Sequence, residues 1–250
     1  MIDASLQSLR VLVTRPEKRA DTLIAQIAAC GGEATHIPLL AVTPLNEHDD
    51  AAICAATIHR IRELDGYRRV IAISVNAVHF AIPWIKRHWS SVPNTITWYG
   101  IGTATIAAFA DYGIIACGGD SSRSAMTSEA LLASDELQNL HGEHILILRG
   151  VGGREQLATV LRARGALVDY AECYRRSEPT LTDAQRAQLQ AMAFDAICVN
   201  SNETLQNLWQ CLQSSARELA CRIALIAPSE RVAENARQLG FARVIIAADA

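Results

Sequence analysis

The stretch ILILRGVGGREQLATVLRARG, residues 145–165, sets Arg149, Gly150, Gly152, Gly153 and Arg154 between an apolar run and an amphipathic one. Glycines let backbone N–H groups come close to a ligand, and a helix start just beyond them favours negative charge. A nucleotide site would need more. The dinucleotide fingerprint wants a third glycine where Glu155 stands, and the lysine and hydroxyl of a P-loop are missing. What remains is an anion-facing turn, with Arg149 or Arg154 adding charge.

Further polar residues occupy the same kind of place. Arg15, Ser74 with Asn76, Gly102 with Thr103 and Thr105, Ser201 with Asn202, and Ser229 each follow an apolar run and open an amphipathic one. Two readings stand side by side for them. Each can contact an anionic ligand, or it can cap its helix, taking a free N–H of the first turn and stabilising by about 1 kcal/mol with no ligand involved. His141 and His144 in HGEH have no third ligand suggested nearby, so they read as solvated and no metal site is expected. Cys173 has no evident base beside it, and the pairs Arg68 with Arg69 and Arg175 with Arg176 lack the interleaved aromatics of a nucleic-acid platform.

The elements that carry these residues occur twice. With Val11 laid on Ile145, a constant offset of 134, VLVTRPEKRADTLIAQIAACGG matches ILILRGVGGREQLATVLRARGA without a gap, Arg15 falling on Arg149 and Gly31 on Gly165. At an offset of 127, VIAISVNAV from Val70 lies on ICVNSNETL, and ITWYGIGTATIAAFADYG lies on IALIAPSERVAENARQLG, pairing Ser74 with Ser201 and Gly113 with Gly240. Each unit is a β-branched run, a turn, then a helix with apolar residues on one face, such as Leu205, Leu208, Trp209 and Leu212. Pro83 is expected to kink the helix after Ser74 or to end it early.

Apolar runs near residues 11, 34, 70, 97, 114, 145, 167, 196, 223 and 244 predict ten strands, alternating with helices and so forming two parallel sheets of five. The proline-bearing breaks at 38–50 and 173–183 fall after equivalent units of the two copies. Such spacing allows a chain that leaves its first domain early and returns late.

Composition narrows the function. Half of the 250 residues are apolar and a fifth charged, as in an ordinary globular protein, and the formal charge of −3 gives no global attraction to nucleic acid or membrane. Any bound anion must be held by local groups. The seven cysteines are scattered, never spaced C-x-x-C, and the N-terminal residues lack the basic and long apolar regions of a signal peptide, so a reducing cytoplasm is expected.

Taken in order, VTRP (13–16), HIPLL (36–40), ISVNAV (73–78), GTAT (102–105), SEALL (128–132), LRGVGGRE (148–155) and ECYRR (172–176) make the chain resemble the uroporphyrinogen-III synthase family over nearly its whole length. The resemblance implies an α/β fold of two flavodoxin-like parallel-sheet domains, about five strands each, joined by a two-stranded linker. Its domains would be 1–37 with 176–250, and 42–172, with linkers at 38–41 and 173–175. It implies cyclisation of hydroxymethylbilane to uroporphyrinogen III, with loss of water and inversion of ring D through a spiro intermediate, and neither cofactor nor metal.

The family's tyrosine after the strand entering the return linker corresponds to Tyr174, implied to donate a hydrogen bond to the leaving hydroxyl. Thr105 matches a family threonine, whereas the duplicate turn carries Val232 and leaves Ser229 or the backbone to serve. The implied partner is the small-molecule substrate, with room for a transient handover from hydroxymethylbilane synthase, and a monomer without nucleic acid or membrane. Composition and periodicity without the resemblance leave open a non-enzymatic two-lobed module that binds an anionic small molecule, and a nucleotide-dependent enzyme.

Overall fold

A computed structural model of the chain describes residues 6–17, 20–118, 128–153 and 155–247. In chain order the first elements are β1 (Arg10–Val13), α1 (Asp21–Ala29), β2 (Glu33–His36), β3 (Ala41–Pro44), α2 (Ala51–Arg62), β4 (Arg69–Ala72) and α3 (Val75–His88). There follow β5 (Thr97–Gly100), α4 (Thr103–Ala110), β6 (Ala116–Cys117), α5 (Ser128–Leu132), β7 (His144–Gly150), α6 (Gln156–Ala163) and β8 (Leu167–Ser177). The chain closes with α7 (Asp183–Ala191), β9 (Ala196–Cys198), α8 (Asn202–Cys211), α9 (Ser214–Ala220), β10 (Ala224–Ala227), α10 (Glu230–Gln238) and β11 (Val244–Ile246). Among the described residues no helix is long and apolar enough to cross a membrane.

The chain divides into two compact units, residues 1–42 with 177–250, and residues 43–176. The first holds a five-stranded sheet ordered β2-β1-β9-β10-β11, with every printed pair parallel. Counted along that unit, this is the flavodoxin-like order 2-1-3-4-5. Its strands are buried on both faces: Leu12, Ile197 and Leu225 pack with α8 and α10, while Val11 and Val13 pack with Ile27 of α1. Near-continuous apolar runs are what such a doubly covered sheet requires.

The second sheet is ordered β3-β8-β7-β4-β5-β6. Without β3 it repeats the first order with the chain cut at another point, and the registers repeat too. Val11 pairs with Ala196 and Ala34; shifted by the two sequence offsets, these become Ile145 with Arg69 and with Val168, and both are observed. Leu225 with Ile197 likewise becomes Trp98 with Val70. Only the last strand slips, Trp98 pairing with Ala116 where the offset points to Cys117. The sequence repeat is thus a repeat of strand pairing, residue by residue.

Two expectations are corrected. Eleven strands occur among the described residues rather than ten, because Ala41–Pro44, read as part of a linker, adds a short edge strand beside β8. An edge is where a strand ending in proline is tolerated. The early end expected at Pro83 as one of two outcomes is also overturned, since α3 runs through it to His88. Proline removes one N–H donor, but Ala77, Val78, Ala81, Ile82 and Ile85 are all buried on one side of the helix, and Trp89 donates its indole N–H to the Ile61 carbonyl at 2.7 Å. Packing along the whole length outweighs the missing bond.

Candidate active site

In a doubly wound sheet, ligands meet the protein beyond the carboxyl ends of the strands where the strand order reverses. In unit 43–176 that point lies between β7 and β4. The residues following them are Val151, Gly152 and Gly153 on one side and Ile73 and Ser74 on the other, and β8 brings Tyr174 alongside β7.

A β-bulge aims that tyrosine. Arg149 pairs with Glu172 but Gly150 pairs with Tyr174, so Cys173 is an extra residue on β8. A bulge bends its strand and re-points the next side chain. Cys173 turns into the core and is fully buried, which pushes its thiol up and disfavours the thiolate that a nucleophile needs. Tyr174 is 4% exposed, its ring stacked on Phe80 with centroids 5.5 Å apart and its hydroxyl 3.1 Å from Ser74 Oγ.

The ring also explains Gly150. A Cβ built there would lie 2.6 and 2.7 Å from ring carbons of Tyr174, while the backbone of Gly150 lies outside the left-handed region. Glycine is therefore required here by the neighbour, not by its own φ. Gly152 and Gly153 differ from it, with φ of 70° and 105°, and only they take the left-handed turn.

Arg149 serves the turn from within. It is buried, its guanidinium donates to Glu155 Oε1 at 2.9 Å and to the Gly152 carbonyl, and it lies 4.4 Å over the ring of Tyr170. Hydrogen bonds from Tyr170 and then Arg149 hold the Glu155 carboxyl below the usual range. The N–H of Gly152 is itself taken by Glu172 Oε1 at 3.1 Å. So this turn, expected to face a ligand with a free arginine and free N–H groups, satisfies Arg149 and the Gly152 N–H internally. Arg154 lies outside the described residues.

Around the same sheet end, Ser74 caps α3, accepting the Ala77 N–H at 3.1 Å. Asn76 is half-buried in the first turn of that helix. Gly102, with φ of 91°, is the N-cap of α4; Thr103 is exposed and Thr105 buried. His141 and His144 are exposed, and the described residues hold no group of three His, Cys, Asp or Glu able to take a metal.

In the other unit the reversal point lies between β1 and β9. Arg15 is half-buried there, its carbonyl accepting from His36 Nε2 at 2.8 Å. Ser201 caps α8 through the Thr204 N–H at 3.1 Å and meets the Thr204 hydroxyl at 2.7 Å. Asn202 Oδ1 accepts from Asn235 of α10 at 2.7 Å, a helix-to-helix bond. Ser229 holds the N-cap place of α10 without a side-chain cap bond, and Val232, where a threonine was sought, is buried.

Sequence reasoning missed Phe80, Glu172 and the bulge at Cys173. Phe80 sits in an apolar helix where nothing marks it apart, and a bulge becomes visible only once two strands are paired. The signal that was present is Gly150, a glycine inside a strand, which often marks close approach by another group.

The fold defines a two-unit α/β protein that gathers hydroxyls and helix starts at the sheet ends where its strand order reverses. A family model described as Uroporphyrinogen-III synthase HemD matches residues 21–250. The uroporphyrinogen-III synthases of Salmonella typhimurium and Escherichia coli are 33% and 32% identical over 249 residues, covering 97% of this chain and 96% of each relative. Among solved structures, a mutant uroporphyrinogen III synthase from Thermus thermophilus superposes with a TM-score of 0.65 at 15% identity, covering 97% of this chain and 94% of that one. The corresponding Helicobacter pylori structure gives 0.58 at 12% identity, with 96% and 93% covered. The chain belongs to the uroporphyrinogen-III synthase family.

Proposed function

We infer that the chain cyclises hydroxymethylbilane to uroporphyrinogen III, losing water and inverting ring D, in tetrapyrrole biosynthesis. The observation that carries this reading is family membership along almost the entire chain, at 33% identity over 249 residues in the relative from Salmonella typhimurium. The bilane closes unaided to the wrong isomer, so the protein's task is conformational: it holds the chain folded so that ring D is attacked at its substituted carbon.

Tyr174 is the group proposed to act on the leaving hydroxyl. A phenol is a weak acid but a good hydrogen-bond donor, and away from bulk water such a bond is stronger. As the pyrrole nitrogen pushes electrons toward the azafulvene cation, the phenol donates to the departing oxygen. What supports the assignment is the bulge, the stack on Phe80 and the notch at Gly150, which together fix one ring orientation at the reversal point of the sheet.

The substrate's carboxylates are proposed to meet helix starts, whose free N–H groups favour anions. The positions proposed are Ser74, through its backbone, with Asn76, Gly102, Thr103, Thr105 and Gly153 in one unit, and Arg15, Ser201, Asn202 and Ser229 in the other. The same reading makes the protein a cytoplasmic monomer that takes its soluble substrate from hydroxymethylbilane synthase.

A coupled assay supplying hydroxymethylbilane tests the function. Type III product is expected, and exclusive type I isomer, the spontaneous product, would reduce the protein to a binding module. Tyr174→Phe should lower the rate of type III formation by about 10²-fold while the circular-dichroism spectrum and melting transition hold. Unchanged turnover would remove Tyr174 from the mechanism.

A further inference from the structure

The hydroxyl of Ser74 has two partners among the described residues, the N–H of Ala77 at 3.1 Å and the hydroxyl of Tyr174 at 3.1 Å. A backbone N–H can only donate, so Ser74 Oγ accepts from Ala77. A serine hydroxyl has one proton and two lone pairs. If Tyr174 were the donor, Ser74 Oγ would accept twice and its own proton would have no acceptor among the described residues. If Ser74 is the donor, its proton is used and the unmatched one is the phenol proton of Tyr174; the distance admits either direction, and only this one leaves a proton at the tyrosine for a bound molecule to accept.

That direction has a consequence at the other end. With its oxygen occupied by the serine proton, Tyr174 has its own proton to give, and no described residue takes it. We propose that Ser74 is the positioning residue of the reaction, a donor that turns the Tyr174 proton toward the substrate and stabilises the phenol oxygen as that proton leaves. The proposal rests on the reading of Tyr174 as the donor to the leaving hydroxyl.

The atoms balance. The C–O bond of the hydroxymethyl group breaks, its electron pair leaving with the oxygen, and the Tyr174 proton completes a water molecule. The pyrrole nitrogen lone pair fills the vacancy at carbon as the azafulvene cation. Attack by the substituted carbon of ring D gives the spiro intermediate; when that opens and the macrocycle closes at the free α-carbon of the inverted ring, the proton lost there restores aromaticity and returns the phenolate to phenol. While the phenolate exists, the Ser74 hydroxyl donates to it, and the serine oxygen is in turn held by an N–H in the first turn of α3, the positive end of the helix. Ser74 touches neither the breaking bond nor the leaving oxygen, so its effect passes through Tyr174.

Capping and donation can be separated because different residues supply them. At an N-cap, glycine is tolerated almost as well as serine, yet it carries no hydroxyl. Threonine retains both the cap and the donor. Ser74→Gly is therefore expected to melt near the parent temperature with kcat lowered about 10-fold and KM held, the size of one lost hydrogen bond. Ser74→Thr should restore most of kcat. In the Tyr174→Phe background, Ser74→Gly should lower kcat no further.

The outcomes divide cleanly. If Tyr174→Phe slows the enzyme but Ser74→Gly turns over at the parent rate, the donor chain is wrong and the tyrosine assignment stands. An equal loss from Ser74→Gly with and without the tyrosine hydroxyl would also overturn the chain, assigning Ser74 a role independent of Tyr174. If Tyr174→Phe is itself fully active, the tyrosine assignment and the donor chain fall together.

Discussion

The two copies of the repeat carry the same strands in the same register and yet do different things where the strand order reverses. In unit 43–176, the strand after the first helix of the repeat bulges at Cys173 and lays Tyr174 over Gly150. In the other unit the matching stretch, HIPLL, puts Ile37, Leu39 and Leu40 into the core, and Pro16 stands in the place of Gly150. The two cap serines diverge in the same sense. Ser74 reaches the tyrosine, whereas Ser201 reaches Thr204, whose hydroxyl in turn donates to Asn200 at 2.6 Å. A shared scaffold fixes where a site can be; single residues with no counterpart in the other copy decide whether chemistry is offered there.

Gly150→Ala should break this difference most sharply. The added methyl would sit 2.6 Å from the Tyr174 ring, so ring or strand must shift. Displacement of a reacting group by about 1 Å can cost 10²-fold in rate, and overpacking about 1–3 kcal/mol in stability. Type III formation by Gly150→Ala should fall on that scale. Pro16→Ala, at the matching place in the other unit, should leave kcat near the parent value. Denaturant melts of Gly150→Ala in a Tyr174→Ala background locate the cause, because with the ring gone the methyl should be tolerated. If the penalty persists there, the notch is not made for the tyrosine.

A smaller contrast is expected between the serines. Ser74→Ala and Ser201→Ala each lose a cap and should each cost about 1 kcal/mol by urea denaturation. Only Ser74→Ala should also lower kcat, by about 10-fold; Ser201→Ala should show itself in stability and at most in KM. Equal kinetic losses would mean that the copies are not specialised as the hydroxyl partners indicate.

The duplication was legible because strand pairing preserves it: offsets read from the sequence reappear as cross-strand partners such as Ile145 with Arg69. Cap serines were legible as well, since capping is a local matter of a hydroxyl three residues before an N–H. The length of the helix through Pro83 and the neighbours of Arg149 were not legible, for a common reason. A proline is a poor helix residue alone but stands in a helix buried along its length, and an arginine in a glycine turn looks free until Glu155, Tyr170 and the Gly152 carbonyl are brought around it. Gly150 was singled out for approach to a ligand, and the neighbour that requires a glycine there was not legible. Its partner lies on the next strand, and only the bulge at Cys173 brings the tyrosine ring over it.

The acidic groups at matching turns give the finest contrast. Glu155 opens α6 and is tied to Tyr170 and Arg149, while Asp21, its counterpart at the offset of 134, opens α1. Folding lowers the pKa of Glu155, so the unfolded chain takes up that proton first as pH falls. The contribution is complete above the unfolded carboxylate pKa and disappears as pH drops through the lowered folded value. Because the Glu155 side chain is 58% exposed, solvent screens the pair, and a few tenths of a kcal/mol is the expected size, roughly the lower end for surface pairs. Glu155→Gln should therefore lower the urea midpoint slightly at neutral pH and should approach the parent as the medium becomes acidic. A constant difference across the acid range would mean that the carboxylate charge is not what Glu155 contributes, leaving the neutral hydrogen bond to Tyr170 as the tie that shapes this turn.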